Sequence, residues 1–187
     1  MTLRSIAAGA ILLSLLAGCE RKGPVQAPSS PAPPPQATLT SKPVQLFYED
    51  DAMLLEPRVE NVALPDSEGA SIRPLLVALL APAPAGAEPK PVPEGIEIRA
   101  AYLLPDGTAI VDLSGPLFLA GWKTGSQAEL MLAYSIVHTL TSNLPSIRQV
   151  QLLVNGQPAE TLGGHVSIEH ALRPNPKLVR TQPTTNQ

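Results

Sequence analysis

The eighteen residues 96–113, IEIRAAYLLPDGTAIVDL, decide the fold class of this chain. Apolar and small side chains alternate with others from Ile96 to Leu104, which predicts a strand with one buried face made of Ile96, Ile98, Ala100, Tyr102 and Leu104. Pro105-Asp106-Gly107 predicts a tight turn, because proline presets the first φ angle and glycine accepts a positive one. Residues 109–113 then return as the partner strand, so the stretch is a β-hairpin.

Helical patterns stand before and after this hairpin. Residues 71–80 predict a helix that Ser71 caps and whose first turn tolerates Pro74. A second helix begins at Ser126, where Ser126 and Glu129 have the spacing of a capping box, and ends before Pro145. Both helices carry apolar residues at three- and four-residue spacing, which is typical of packing against a sheet.

The second helix is followed by another hairpin signal. Residues 150–154 predict a strand, Asn155-Gly156 favours a two-residue turn, and a return strand is expected between residues 160 and 168. Helix, strand, turn and strand therefore occur twice, at 71–113 and at 126–168. With two further strands at 44–48 and 58–64, the pattern predicts an α+β fold: an antiparallel sheet with two helices packed on one face, built as a tandem helix-strand-strand pseudo-repeat.

The N-terminus carries an export pattern. A basic start is followed by 12 apolar or small residues and by Leu16-Ala17-Gly18-Cys19, so residues 1–18 are predicted to be a lipoprotein signal peptide. A transmembrane anchor is the alternative, but a span needs about 20 apolar residues. We expect Cys19 to be lipidated and its acyl chains to attach the protein to a membrane. This predicts an extracytoplasmic protein of the bacterial cell envelope.

Composition divides the rest of the chain and excludes some functions. Residues 19–43 predict a proline-rich linker, residues 44–172 the folded domain, and residues 173–187 a disordered tail. The folded domain has six basic and fifteen acidic residues, and the whole chain has a net charge of -3, which argues against nucleic acid as a partner. A single cysteine excludes intramolecular disulfides.

No residue pattern predicts catalysis, a metal or a cofactor. Ser135 and His138 could form a triad with Asp112, but helix residues at a polar margin are the better interpretation. The spacing of His165, Glu169 and His170 matches no standard zinc site. Glu49, Asp50 and Asp51 could offer oxygen ligands to calcium, but the sequence around them lacks the further ligands of a calcium-binding loop.

Two residues remain candidates for binding. Asp112 lies on a strand, on the side opposite Val111 and Leu113, so it is a binding carboxylate, an exposed strand residue or an acceptor for a loop N–H. Trp122 is the one tryptophan, and it either contacts a partner or a glycan, or else packs in the core or pins a loop.

The order of motifs over residues 44–170 resembles the GerMN family, the sporulation and spore germination domain of bacterial lipoproteins. The matching pieces are Leu75-Leu76, Leu79-Leu80-Ala81-Pro82, Val92-Pro93-Glu94-Gly95, Val111-Asp112-Leu113-Ser114, Phe118, Gly125-Ser126, Glu129, Ile136-Val137-His138-Thr139-Leu140 and Val150-Gln151-Leu152-Leu153-Val154-Asn155-Gly156. The family usually has Gly-Pro after the first helix, where this chain has Ala81-Pro82.

The resemblance implies a lipid-anchored domain with an architecture similar to ring-building modules of envelope complexes. Its expected role is assembly or signalling through protein contacts, with itself or with a partner complex, and not catalysis. The alternative is a module that binds peptidoglycan or another envelope ligand, with Trp122 and the loop 81–93 as candidate contacts. A role in spore germination does not follow for this chain.

Overall fold

The folded chain begins with a long β-hairpin. The computed structural model describes residues 38–83, 85–86, 89–119 and 125–181, so the predicted signal peptide, Cys19 and most of the linker lie outside the described residues. Strand β1 (Leu39–Glu49) pairs antiparallel with β2 (Leu55–Pro65), from Leu39 opposite Pro65 to Glu49 opposite Leu55. Because β1 starts at Leu39, the domain begins before the predicted linker boundary at residue 43.

Helix α1 (Glu68–Leu80) begins three residues earlier than its pattern predicts. Ser67 is the N-cap, and its side chain accepts a hydrogen bond from Ala70 N at 3.2 Å. Ser71, the predicted cap, is instead buried, and its hydroxyl donates to the carbonyl of Pro65. Pro74 therefore lies inside the helix and not in its first turn.

The decisive stretch forms the expected hairpin. Strands β3 (Glu97–Leu103) and β4 (Thr108–Ser114) are antiparallel, and the turn between them contains Gly107 at a φ of 84°. A β-bulge interrupts the pairing between Ile98 and Ala100. A bulge adds one residue to one strand, so the side chains that follow it change faces.

The prediction of one antiparallel sheet is wrong. After the short helix α2 (Pro116–Leu119) and helix α3 (Ser126–Asn143), strand β5 (Gln149–Val154) pairs with β4 in parallel. The described strands therefore form two sheets, the hairpin β1-β2 and a mixed sheet of order β3-β4-β5. The fold is α+β, as predicted, because a crossover through α3 brings β5 back in the direction of β4.

The predicted pseudo-repeat fails in its second half. Asn155 and Gly156 do form a tight turn, with φ angles of 52° and 79°, and Val154 pairs with Gln157. The return strand is absent from residues 160–168, where only an isolated bridge joins Thr161 to Ser167. Further along the same side of β5, Leu172 exchanges both backbone hydrogen bonds with Val150 at 2.8 Å.

The predicted capping box of α3 is also wrong. Gly125 is the N-cap, and no side chain caps the helix. Glu129 is fully buried, and its carboxylate accepts hydrogen bonds from Leu162 N and His165 N, each at 2.9 Å. The carboxylate therefore holds the loop after β5 instead of reaching back to its own helix.

The two long helices pack against each other, and each contacts strands of both sheets. Helix α1 lies against β2 and β3, and α3 lies against β1 and β5. Both helices therefore also contact the hairpin β1-β2, a second sheet that the prediction of two helices on one face of a single sheet did not include. The largest fully buried apolar side chains come from these helices and from strands of both sheets, together with Ile168 from the loop after β5: Leu46, Leu55, Ile72, Leu75, Leu76, Leu79, Leu113, Ile136, Leu140, Leu152 and Ile168.

The predicted disordered tail is ordered as far as residue 181. A 3-10 helix spans Pro176–Leu178, Val179 pairs in parallel with Leu55, and Arg180 N donates to Leu55 O at 2.9 Å. Composition alone predicted disorder because the segment has few apolar residues. Those few are enough to order it, since they pack against an apolar cluster that the rest of the domain already forms. Residues 182–187 lie outside the described residues, and none of the described helices is long and apolar enough to cross a membrane.

Candidate functional site

The mixed sheet presents one face to the core and one away from it. On the central strand β4, Ala109, Val111 and Leu113 are buried in the core, so Ile110 and Asp112 point to the opposite side. The register sets two rows of three residues there, and we call these six residues the outer face: Ala100, Asp112 and Leu153 in one row, and Tyr102, Ile110 and Gln151 in the other.

Tyr102 is the most exposed aromatic residue described, and the sequence pattern placed it on the buried side. Its exposed fraction is 61%, and Leu104 beyond it is 40% exposed. The bulge after Ile98 explains the difference: Ile98 faces the core, whereas Ala101 and Leu103 take over the inward positions after it. The sequence carries no local signal of this bulge, because Arg99, like Glu97, fits the exposed side of the predicted alternation.

Asp112 fixes the centre of the outer face. It is only 5% exposed, its Oδ1 accepts a hydrogen bond from Gly156 N at 2.8 Å, and its Oδ2 lies 3.4 Å from Nη1 of Arg99. Of the roles considered from the sequence, the acceptor for a loop N–H is therefore the one present. Glycine suits this position, because Gly156 has a φ angle of 79° and a Cβ on it would have to displace the guanidinium of Arg99.

Around Asp112 the outer face forms a shallow depression of about 430 Å³. Half-buried Ile110 and Leu153 and exposed Tyr102 supply its apolar part, and the Arg99–Asp112 ion pair supplies its polar part. The side chain of Arg99 is 57% exposed, so it remains accessible while the buried carboxylate of Asp112 orients it. This mixture of aromatic, aliphatic and arginine groups is typical of protein-binding surfaces.

The structure does not assemble the triad considered from the sequence. Ser135 and His138 are both buried on α3, and Nε2 of His138 lies 3.1 Å from Asn175 O and 3.2 Å from Asn175 N. Burial lowers the pKa of His138, while the contact with Asn175 opposes that shift. The carboxylate of Asp112 is engaged with Gly156 and Arg99 instead.

The candidate metal ligands are engaged elsewhere or exposed. Nδ1 of His165 lies 3.2 Å from Glu129 Oε2, and Glu169 and His170 are exposed. In the part of the chain that the structure describes, no group of three or more histidine, cysteine or carboxylate residues could hold a metal ion.

The acidic turn at residues 49–51 is organised by its own backbone. Oδ1 of Asp50 accepts hydrogen bonds from Ala52 N and Leu54 N, at 2.8 and 3.0 Å, and Oδ2 pairs with Arg180. The hydrogen bond from Arg180 lowers the pKa of Asp50. The carboxylate that would have been a calcium ligand therefore ties the C-terminal segment to the hairpin.

The loop 81–93 borders a cavity of about 670 Å³, but its described lysine is already engaged. The side chain of Lys90 is 10% exposed, and its Nζ lies 3.0 Å from both Glu60 Oε1 and Ala78 O. Trp122, the other predicted contact, lies outside the described residues. The described residues of this loop therefore offer no free cation to a ligand.

Comparisons with known proteins found one matching family and several similar solved structures. The family model described as "Germane: Sporulation and spore germination" matches residues 45–160. Among solved structures, the chain is similar to a candidate lipoprotein from Clostridium perfringens, at 20% identity over 72% of this chain and 87% of that one, with a TM-score of 0.49. No curated protein matches it significantly.

Two structures of the sporulation protein GerM from Bacillus subtilis are also similar. Its tandem GerMN domains match at 19% identity over 71% of this chain and 46% of theirs, with a TM-score of 0.45. Its first GerMN domain matches at 20% identity over 67% of this chain and 92% of that one, also with a TM-score of 0.45.

Proposed function

The chain belongs to the Germane family of sporulation and spore germination domains, as its motifs predict, and from this premise we propose that it is a non-enzymatic, lipid-anchored protein of the bacterial cell envelope. Its domain binds a protein partner through the outer face, as part of an assembly or signalling complex. The anchor is Cys19, and the proline-rich segment that follows separates the domain from the lipid surface.

The observation that carries this proposal is the exposure of Tyr102 on a rigid strand. Its ring has two torsion angles to immobilise and a large area to bury, which is why tyrosine is enriched among residues that dominate binding energy. Ile110 and Leu153 extend the apolar area, and the Arg99–Asp112 pair adds a fixed polar group. Because the bulge turns Tyr102 outward, its ring is available to a binding partner and does not pack in the core.

A protein fits this surface better than a glycan does. Sugar rings are bound by aromatic platforms, and Tyr102 is alone in this respect on the outer face. Of the other described aromatic residues, Phe47 and Tyr48 are buried, and Phe118 and Tyr134 are half-buried against the core. Peptidoglycan binding therefore stands as the alternative that the experiment must separate.

The proposal is tested by crosslinking in living cells from position 102. A photoreactive phenylalanine analogue replaces Tyr102, and the matched control carries it at Val77, which is 53% exposed on α1. We expect one discrete protein adduct from position 102, none of that mass from position 77, and loss of the adduct when Cys19→Ser removes the anchor.

Two results contradict the proposal. Identical adduct patterns from positions 102 and 77 mean that the outer face has no specific partner. The absence of protein adducts, combined with retention of the protein on purified cell-wall sacculi, favours the peptidoglycan alternative instead.

A further inference from the structure

Helix α3 covers the outer edge of strand β1. The side chain of Asn143 pairs with the backbone of Gln45, from Gln45 N to Oδ1 at 2.9 Å and from Nδ2 to Gln45 O at 2.7 Å. Thr139 Oγ1 accepts from Phe47 N at 3.1 Å. The backbone groups of Gln45 and Phe47 therefore point away from β2, and this fixes the direction of the backbone groups opposite them.

The outer edge of β2 carries backbone groups without partners. Val59 lies opposite Gln45 in a pair without mutual hydrogen bonds, so Val59 turns its N–H and C=O away from β1. The same alternation turns Asn61 and Ala63 outward. Among the described residues, none of these outward groups has a hydrogen-bond partner. We call Val59, Asn61 and Ala63 the open edge.

The C-terminal segment already occupies the start of this edge. Val179 lies opposite Leu55 in a parallel bridge, and Arg180 N donates to Leu55 O at 2.9 Å. The guanidinium of Arg180 pairs with Asp50, which holds the segment in this position. Because a parallel pair advances along both strands together, the chain that follows Arg180 is directed along the open edge.

This direction distinguishes β2 from the other strand that has unpartnered outward groups. On β3, Leu104 N donates to Thr108 O at 2.9 Å, so Ala101 and Leu103 turn their backbone groups outward. No described segment forms a backbone bridge with that edge of β3. The edge of β2, in contrast, has an attached segment that runs towards its unpaired groups.

We propose that residues 182–187 pair with the open edge as a parallel strand and so extend the hairpin β1-β2 to a three-stranded sheet. The register of the existing bridge places Pro183 opposite Val59 and Thr185 opposite Asn61. Residues 182–187 then reach the whole open edge, and their backbone satisfies its outward N–H and C=O groups.

The alternation of backbone direction suits this sequence. Arg180 N points at β2, so the N–H groups of Gln182, Thr184 and Asn186 point at β2 as well. Pro183, which has no N–H, falls at a position whose backbone faces away from β2, where none is needed. A proline there also protects the new outer edge from further strands. The β-branched threonines of the segment favour extended backbone.

The charges and the packing of the hairpin also favour this occupant. Strand β2 carries Glu56 and Glu60 on one face, where an acidic segment would be repelled, whereas residues 182–187 have no charged side chain. On the other face, Pro183 comes to lie beside Val59, which is 70% exposed. The open edge belongs to the hairpin and not to the mixed sheet, so this inference does not depend on the partner proposed for the outer face.

Amide hydrogen exchange in the full chain carrying Cys19→Ser tests the pairing at Asn61, whose N–H donates to it. Thr184→Pro removes an N–H that points at β2, whereas the matched control Thr185→Pro removes one that points away. We expect exchange at Asn61 to be slower by about tenfold or more in the parent and in Thr185→Pro than in Thr184→Pro. The outward N–H of Ala101 is the internal reference and should exchange at one rate in all three chains.

Disulfide formation within one chain measures the register independently. Asn61→Cys with Thr185→Cys puts two Cα atoms about 4.8 Å apart with both side chains on one face, which suits a disulfide. Asn61→Cys with Thr184→Cys is the control, because its side chains point to opposite faces. In the chain carrying Cys19→Ser, we expect the first pair to close faster than the control by about tenfold or more.

Three results overturn the inference. The first is equal exchange at Asn61 in the parent and in Thr184→Pro, and the second is equal closure rates for the two cysteine pairs. The third is protection of Asn61 that disappears on dilution, because the open edge is then occupied by a second copy of the chain and not by its own residues.

Discussion

Single carboxylates replace a missing strand in the loop that follows β5. Asp112 accepts the N–H of Gly156, and Glu129 accepts the N–H groups of Leu162 and His165, all at 2.8 to 2.9 Å. Hydrogen bonds to an ionised acceptor are about twice as strong as neutral ones, so two residues hold a segment that has almost no ladder of its own. From the sequence, Asp112 was a candidate either for binding or for accepting a loop N–H, and Glu129 was expected to cap its own helix.

Glu129→Gln should lower the free energy of unfolding by about 2–3 kcal/mol, because the amide can accept from one loop N–H but presents its own N–H group to the other. Urea unfolding at pH 7 measures the change, and exposed Glu160→Gln is the matched control. Burial raises the pKa of Glu129, but hydrogen bonds from Gly163, Val166, His165 and Leu162 outweigh it and lower the pKa below 4.5.

The sign of the pH dependence follows from that lowered pKa. The stabilisation by Glu129 is fully present above pH 4.5 and is lost as the pH falls through the lower value of the folded state, because the unfolded chain then binds the proton first. The glutamine variant should therefore lose part of this acid sensitivity. Unfolding curves of parent and variant that stay parallel down to pH 3 would refute this role.

At the scale of elements, the C-terminal segment is attached through α3 and the hairpin. His138 on α3 contacts Asn175, while Asp50 and Leu55 of the hairpin region hold Arg180 and Val179. The groove beneath the segment, of about 670 Å³, is also lined by Arg148 and Arg173, so a positive charge on His138 would be added to two others. The attachment is therefore sensitive to the protonation of one buried imidazole.

The parent protein should lose stability as the pH falls below 6.5. The folded-state pKa of His138 lies below 6.5 because of burial, so the unfolded chain binds more protons in that range. The contribution is complete above pH 6.5 and diminishes towards the folded-state pKa. Urea midpoints at pH 7.5 and 5.5 measure it: His138→Phe, which keeps an aromatic ring beside Phe47 and Tyr134, should flatten the slope.

His170→Gln is the control for this titration, since His170 is exposed. It should leave the pH dependence unchanged. If His138→Phe and His170→Gln give the same slope as the parent, the imidazole of His138 does not couple the segment to α3.

For the whole molecule, the C-terminal segment completes a second apolar cluster. Phe47, Leu55 and Met131 form this cluster, and Leu178 and Val179 pack against it. The domain therefore extends beyond the boundary at residue 172 that composition favours. Its main core and this smaller cluster share strands β1 and β2 and helix α3.

A chain that ends at Leu172 should be about 2–3 kcal/mol less stable than the parent, because two partly buried apolar side chains are lost and Phe47 and Leu55 become exposed. A chain that ends at Thr181 is the matched control and should keep this contribution. Thermal unfolding compares the three lengths. Equal unfolding midpoints for the chains ending at residues 172 and 181 would show that the C-terminal segment does not stabilise the domain.

The sequence alone predicts those elements that depend on residues close together in the chain. The turn at Pro105-Asp106-Gly107, the turn at Asn155-Gly156 and the two long helices all depend on residues within a few positions of one another. The motif order likewise predicted the family, which the match over residues 45–160 confirms. An α+β class follows from those elements without any knowledge of their arrangement.

Tertiary structure alone decided how the elements meet. The bulge at Arg99 moved Tyr102 to the surface, β5 joined β4 in parallel, and Glu129 turned from its own helix to a loop over 30 residues away. The pair between Gln45 and Asn143 closes a strand edge across 98 residues. Packing of the core leaves certain buried polar groups and strand edges without hydrogen-bond partners, and these long-range contacts satisfy them. A local sequence pattern cannot predict which groups these will be.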